Sequence, residues 1–154
     1  MPSLQLVPFF LDGHCYALHL GVVVRVIPAV EITPVPKAPE IVLGLINIRG
    51  KIIPAFNLRR RFRLPDRETE LTDHFIIANT SKRLVALPAD SVGGVMQVSD
   101  AQITEPMDIL PELEYVAGVV KLKDGLLLIH DLESFLSVDE ETALDEVLSE
   151  QVEK

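Results

Sequence analysis

The chain has 154 residues, with 14 Lys and Arg against 23 Asp and Glu, and a net charge of −9. This length suits one domain with either a single core or two small cores, and the negative charge disfavours nucleic-acid binding. The single cysteine excludes an internal disulfide and fits a reducing, cytoplasmic location. No apolar run approaches the roughly 20 residues of a membrane-spanning helix, so we expect no direct membrane insertion. The amino terminus lacks a basic start, and we expect no signal peptide.

The charge is distributed unevenly along the chain. Residues 1–67 carry nine Lys and Arg and four Asp and Glu, a net charge of +5. The remainder carries five and 19, a net charge of −14. A chain so polarised can present opposite charges to two different partners. We therefore expect head-to-tail contacts with partners, of the kind that build rings or arrays, and a monomer when the chain is alone.

Most segments alternate apolar and polar residues with the period of two that is typical of a strand. In "HCYALHL" (14–20), Tyr16 and Leu18 face one way, and Cys15 and Ala17 the other. Two further segments predict short strands, and two proline-containing segments predict extended connectors. The strand segments are "LTDHFIIANT" (71–80) and "RLVALPADSVGGVMQV" (83–98), and the connectors are "ITPVPKAPE" (32–40) and "ITEPMDILPELE" (103–114).

Helical periodicity is clear only near the carboxyl end. Ser137 and Glu140 have the spacing of a capping box, in which each side chain bonds the other residue's backbone N–H. An apolar stripe with helical spacing follows, made of Leu144, Val147, Leu148 and Val152. The pattern predicts an amphipathic helix over residues 139–152 that docks on the body of the domain.

The sequence contains a weak internal repeat. At an offset of 74, "GLINIRGKIIPAFNLRRRF" (44–62) lies over "GVVKLKDGLLLIHDLESFL" (118–136) without a gap, and Arg49 meets Lys123. Upstream the offset falls to 71 and then 69, as expected when connectors differ in length. The repeat predicts a mainly β fold of two five-stranded barrels that share a core. We place the first barrel at about 14–64 and the second at about 72–136, with the strand at 4–12 as a candidate partner of the second.

Each copy contains a hairpin with recognisable turn chemistry. Asp124-Gly125 is a favoured two-residue turn because both positions tolerate positive φ, and Arg49-Gly50 occupies the same place in the first copy. Arg49 is therefore expected at the tip or edge of its hairpin. Two roles are open for it: a structural one, in which it caps carbonyls or pairs with an acid, and binding to a partner. We favour a mixture of the two.

A short helical turn is expected after each hairpin, because Asn57 and Asp131 are good N-cap residues. The first of these turns contains a basic cluster made of Arg59, Arg60, Arg61 and Arg63. The cluster is either a solvated helix face or a docking patch for an acidic protein surface.

An enzyme is the rival class of function. Cys15 lies beside His14, but neighbours in a strand point to opposite faces, so His14 cannot simply activate the thiol. His130-Asp131 is better explained by a histidine at a strand end and a capping aspartate. The four histidines show no metal-ligand spacing, and Gly93-Gly94 lacks the rest of a phosphate loop. We therefore expect no catalysis, metal or cofactor, with a small hydrolase that uses Cys15 as the remote alternative.

Three segments resemble the CheW domain: "YALHLGVVVRVI", "ITPVPKAPEIVLGLINIRGKIIPAFNLRRRF" and "VAGVVKLKDGLLLIHDLESFL". The resemblance runs from about Leu4 to Leu136. It implies two five-stranded barrels and a non-catalytic cytoplasmic adaptor that couples chemoreceptors to a CheA-type histidine kinase. The implied partners are the regulatory domain of that kinase and the cytoplasmic tip of a methyl-accepting chemoreceptor.

The resemblance also implies a receptor-binding site in the first half of the chain. Its residues here are Val23, Arg25, Val26, Gly44, Asn47, Arg49 and Gly50. Arg25 stands where the family usually has Glu, which suggests a receptor with altered charge or a paralogue that serves another two-component pathway, such as surface motility. Asn57 stands where the family often has Asp, and this change preserves the helix cap.

Overall fold

The computed structural model describes residues 3–104, 115–123, 125–134 and 138–152. They form twelve strands, two α-helices and three short 3-10 turns, so the prediction of a mainly β fold is confirmed. The strands are β1 (Ser3–Leu11), β2 (His14–His19), β3 (Val23–Pro28), β4 (Val42–Ile48), β5 (Lys51–Phe56), β6 (His74–Asn79), β7 (Leu84–Ala89), β8 (Ser91–Val92), β9 (Met96–Ser99), β10 (Ile103–Thr104), β11 (Val116–Leu122) and β12 (Gly125–His130). The helices are α1 (Leu58–Arg61) and α2 (Val138–Val152), and the 3-10 turns cover Leu20–Val22, Asp100–Gln102 and Leu132–Ser134.

The strands form two sheets. One has five strands in the order β3-β6-β7-β5-β4, and the other has seven, in the order β10-β11-β12-β2-β1-β8 with β9 also paired to β1. Within the described residues neither sheet closes into a barrel by hydrogen bonds, but the predicted β fold of two subdomains is confirmed. In the five-stranded sheet, the connector between β3 and β4 supplies only the isolated bridge Thr33–Leu45. Pro34 and Pro36 in that connector lack an N–H group and cannot extend the ladder.

The two repeats exchange their first hairpins. β1 and β2 pair with the sheet that holds β11 and β12, whereas β6 and β7 lie between β3 and β5. The predicted boundaries at 14–64 and 72–136, with the strand at 4–12, divide the chain along its sequence, whereas the sheets combine β1 and β2 with β11 and β12, and β6 and β7 with β3 and β5. A sequence repeat identifies equivalent segments, but it does not show which copy each segment pairs with.

The pairing registers support the repeat itself. Ala55 of β5 pairs in parallel with Ala86 of β7, and the equivalent Ile129 of β12 pairs in parallel with Ala17 of β2. Gly44 and Gly118 also match, since each lies at a register shift of its hairpin.

Three apolar clusters fill the fold. One lies within each sheet, and the largest lies between the sheets and takes residues from both. In β6, Phe75 and Ile77 point into the five-stranded sheet's own cluster, whereas Ile76 and Ala78 point into the shared one. The exchanged hairpins are thus buried on both faces, and the prediction of a shared core is confirmed.

The C-terminal helix agrees with the prediction within one residue at its start. Leu144 of α2 is 1% exposed and belongs to the shared core, and Leu148 packs against that core. Ser137 and the side chains of Val147 and Val152 lie outside the described residues. Over the described ranges, no helix has the length and apolar character to cross a membrane.

Candidate functional site

The β4–β5 hairpin ends in a two-residue turn made of Arg49 and Gly50. Both residues have positive φ, 53° and 87°, and Ile48 pairs with Lys51 on either side of them. The Asn47 side-chain oxygen accepts the N–H of Gly50 at 2.8 Å, which fixes the turn from the strand side. The turn predicted at Arg49-Gly50 is confirmed. In the second copy, Asp124 lies outside the described residues.

Arg49 stands exposed at the tip of this hairpin. Its guanidinium group makes no hydrogen bond or ion pair with any residue that the structure describes. Within the described part of the chain, its donors are therefore open to a partner, and the binding role stays a prediction.

An open groove runs beside the tip. It is lined by the connector residues 33–36 together with Leu45, Ile46, Asn47 and Ile52. Ile52 is 51% exposed, which is unusual for a large aliphatic side chain in a strand. The exposed Lys37 and Lys51 adjoin these lining residues in the chain. The groove therefore offers apolar contact close to several cations.

β3 presents a second exposed stretch. It is an edge strand paired only with β6, and Val24, Arg25 and Val26 are all exposed. Val23 is partly buried against the shared core. β3 and β4 lie at opposite ends of the five-stranded order, yet Ile27 and Ile48 pack on the same cluster.

Gly44, another residue of the predicted receptor site, is buried. A Cβ added there would lie 2.3 Å from the backbone oxygen of Thr33, so only glycine allows the connector to approach β4. Gly44 offers no surface to a partner. Its role in this structure is packing, which keeps the groove wall in place.

The basic cluster after the hairpin is not one uniform face. The Asn57 side chain caps α1 by accepting the N–H of Arg60, as predicted. Arg59 is 7% exposed and pairs with Asp90, so neither a solvated face nor a docking patch describes it. Arg61 pairs with Glu140 of α2 and lies over the Tyr115 ring. Two members of the cluster, Arg59 and Arg61, thus form ion pairs within the protein.

The other two arginines of the cluster are exposed. Arg60 forms ion pairs with Glu40 at 3.0 Å and Asp66 at 3.3 Å. Arg63 has a positive φ of 58° and makes no ion pair within the described part of the chain. Arg63 alone fits the docking patch that the sequence suggested.

Asp90 links several distant segments, and sequence reasoning missed it. Its carboxylate accepts hydrogen bonds from Arg59, from Arg67 and from the backbone N–H of Asp12. Arg67 also bonds the buried Asp73 at 2.9 Å. Burial acts to raise the pKa of Asp90, but the hydrogen bonds from Arg67, Asp12 and Arg59 outweigh it and lower the pKa.

We expect Asp90→Asn to lower the free energy of unfolding by about 2 kcal/mol at pH 7, because Arg59 would keep its burial and lose its carboxylate. Asp90 is 30% exposed in its side chain, so solvent screening makes the loss smaller than for a fully buried pair. Since the pKa is depressed in the folded state, this stabilisation is present above the unfolded pKa and disappears as the pH falls below about 4. Urea unfolding at pH 7 and pH 3 measures the difference, with the exposed Asp66→Asn as the control. Equal stabilities of wild type and variant at pH 7 would contradict this role.

The residues considered for catalysis do not form a reactive site. Burial raises the pKa of the Cys15 thiol, which disfavours the nucleophilic thiolate, and His14 beside it is exposed. His130 is buried, and this burial lowers its pKa to about 4, so it is neutral at pH 7. Its Nδ1 lies 3.1 Å from the carbonyl oxygen of Tyr115. The environments of Cys15 and His130 are therefore those of residues that pack in the fold.

Comparison with known proteins identifies the family. The model of the CheW-like domain matches residues 5–140. Chemotaxis protein CheW of Treponema pallidum is 30% identical over 142 residues, which is 88% of this chain and 84% of the relative. Chemotaxis protein CheW of Rhizobium meliloti is 27% identical, with 90% and 91% covered. The crystal structure of scaffolding protein TtCheW from Thermoanaerobacter tengcongensis matches with a TM-score of 0.80 at 30% identity, covering 91% of this chain and 96% of that chain.

The match extends over both sheets and the exchanged hairpins, and it includes the β4–β5 hairpin with its exposed arginine. The domain family, the named relatives and the solved structure all agree. This chain therefore belongs to the CheW-like family of chemotaxis scaffold proteins, which are not enzymes.

Proposed function

We propose that this chain is a cytoplasmic adaptor that couples a chemoreceptor to a CheA-type histidine kinase. The observation that carries the proposal is Arg49, an exposed arginine held at a hairpin tip without a partner among the described residues. The hairpin is anchored in the five-stranded sheet, so the guanidinium group is offered from a rigid support. Membership of the CheW-like family supports an adaptor function, and the tip of the β4–β5 hairpin is a candidate surface for binding a partner.

The receptor contact would combine two kinds of interaction. The groove lined by Leu45 and Ile52 can take apolar side chains, and the neighbouring Arg49 can form a bidentate pair with a carboxylate. A helical receptor tip with an apolar stripe and adjacent acidic residues fits both features. Asn47 contributes by fixing the turn, since its side chain is already bonded to Gly50.

β3 would extend this receptor surface. Val24 and Val26 expose apolar side chains along an edge strand, and Arg25 adds a cation. Val23 supports the strand from within, because it packs on the shared core. Val23, Arg25 and Val26 stay in the proposed site with Asn47, Arg49 and Gly50, whereas Gly44 acts only through packing.

The kinase contact would use the polarised charge. The amino-terminal portion of the chain is net positive and the remainder is strongly negative. Opposite charges in the two parts of the chain favour head-to-tail contacts with the kinase regulatory domain, and such contacts generate rings or arrays instead of closed pairs.

A pull-down against the chemoreceptors and histidine kinases of the same cell tests the proposal. We expect wild type to capture one of each, and Arg49→Glu to lose the receptor while it keeps the kinase. Capture of neither partner by wild type, or loss of both by Arg49→Glu in a folded protein, would refute the adaptor function proposed here.

A paralogue that serves a different two-component pathway is the second candidate, and the exposed Arg25 favours it. Protein FrzA of Myxococcus xanthus is also similar, at 27% identity over 68% of this chain and 68% of that protein. In the same pull-down, this alternative predicts capture of a kinase from a system other than chemotaxis.

Arg25→Glu tests the importance of that charge for the receptor. We expect the variant to unfold within about 0.5 kcal/mol of wild type, because the residue is exposed, and to change which receptor is captured. Competition between candidate receptors for wild-type and variant protein measures the change. If the preferred receptor stays the same, Arg25 is only a solvated residue of β3.

A further inference from the structure

The carboxyl-terminal helix α2 forms ion pairs with two arginines of the domain. Glu140 pairs with Arg61, which belongs to α1, whereas Glu141 and Asp145 both pair with Arg83, which lies just before β7. The Arg83–Glu141 separation is 2.9 Å. Both arginine side chains are largely covered, so these are not ordinary surface pairs.

Two described apolar side chains also anchor the helix. Leu144 enters the shared core, and Leu148 packs against it. The surface below is therefore a groove with an apolar floor and two cations, Arg61 and Arg83, at its edges. Arg61 is itself held in position by its contact over the ring of Tyr115, 5.1 Å from the ring centroid.

The fit between α2 and this groove is incomplete. The Nε–H groups of Arg61 and Arg83 are both buried, and neither has a hydrogen-bond partner among the described residues. A buried donor without a partner is unfavourable. The resident helix therefore leaves hydrogen-bonding capacity in the groove that another acidic helix can use.

We propose that this groove is a docking site for an acidic amphipathic helix of a partner protein, and that α2 is its resident competitor. The partner helix carries the pattern that α2 displays: two consecutive acidic residues, an apolar residue three positions later, an acidic residue next to it, and a second apolar residue four positions after the first. The two arginines select the acidic face, and the core selects the apolar face. This inference does not depend on the receptor or kinase contacts proposed above.

Competition by α2 determines when the site is open. A tethered helix has a high effective concentration, so a free helix binds weakly until α2 is loosened. Removing both carboxylates that pair with Arg83 should loosen α2 and leave the groove's own residues unchanged.

A labelled peptide of residues 138–152 provides the probe, with binding to full-length protein followed by fluorescence anisotropy. We expect the double variant Glu141→Lys with Asp145→Lys to bind the peptide at least about tenfold more tightly than wild type, with affinity that falls as salt increases. The cost of forming the peptide helix is the same for every protein tested, so it cancels in the comparison.

Two further variants decide the result. Adding Arg83→Ala to the double variant should weaken binding at least about tenfold, because the peptide loses its cation while the two new lysines of α2 gain no carboxylate to pair with. Glu146→Lys, which changes an exposed acid of α2 without an ion pair in the described structure, should bind as wild type does. If the double variant fails to fold, Asp145→Lys alone, at a largely exposed residue, takes its place. No binding to any loosened variant, or binding that Arg83→Ala leaves intact, would overturn the proposal.

Discussion

Gly44→Ala is expected to lower the free energy of unfolding by about 3 kcal/mol, the largest effect that we predict for any single methyl group in this chain. Gly44 has a positive φ of 153°, and a Cβ there would lie 2.3 Å from the backbone oxygen of Thr33. Because the atom in the way is backbone, the connector itself would have to move. Denaturant unfolding measures the loss, and the melting temperature should fall by roughly 6 to 12 °C.

Two other glycines provide matched controls for this variant. Gly118→Ala, the equivalent change in the second copy, should cost less, because the added Cβ meets the side chain of Ile103 at 2.7 Å and a side chain can shift. Gly21→Ala should cost little, since no atom lies within 4 Å of the position of its Cβ. A Gly44→Ala variant as stable as Gly21→Ala would show that the connector is not held against β4.

The sequence predicts some features of this fold and leaves others open. Strand content, the repeat and the shared core follow from local alternation and from the 74-residue offset, and the structure agrees with them. The exchange of hairpins does not follow, because β2 and β7 are equivalent in the repeat and either could complete either sheet. In the structure, the short connection Leu20–Val22 carries the chain directly from β2 in one sheet to β3 in the other.

In the candidate site, features that depend on neighbouring residues could be predicted from the sequence, and features that depend on distant residues could not. The turn at Arg49-Gly50 depends on the φ preferences of two residues, so it could be predicted. The burial of Arg59 depends on Asp90, 31 residues away, and Arg61 pairs with an acid 79 residues away. No local pattern connects such residues, which is why the sequence predicts only a solvated face or a docking patch for these arginines.

Arg49 variants should change receptor binding and leave stability nearly unchanged. We expect Arg49→Lys to weaken binding at least about tenfold, roughly 1.4 kcal/mol, because an ammonium group cannot reproduce the planar two-donor contact with a carboxylate. Arg49→Glu should weaken it about a hundredfold, since the new charge would repel the same carboxylate. Both variants should melt within a few degrees of wild type, because the side chain is exposed and no described residue depends on it.

Lys123→Glu is the matched control for Arg49→Glu, because residue 123 follows β11 at the position that the repeat aligns with Arg49. It makes the same change in net charge at an exposed residue of the other hairpin, so a general electrostatic effect would weaken binding equally in both variants. Titration calorimetry with a receptor fragment separates the two explanations, and kinase binding measured in parallel shows whether each variant is folded and competent. Equal losses for the two variants would assign the effect to overall charge. A loss confined to Arg49→Glu, with kinase binding intact, is expected if the receptor contacts this hairpin tip, since a guanidinium without a described partner lies there beside an apolar groove.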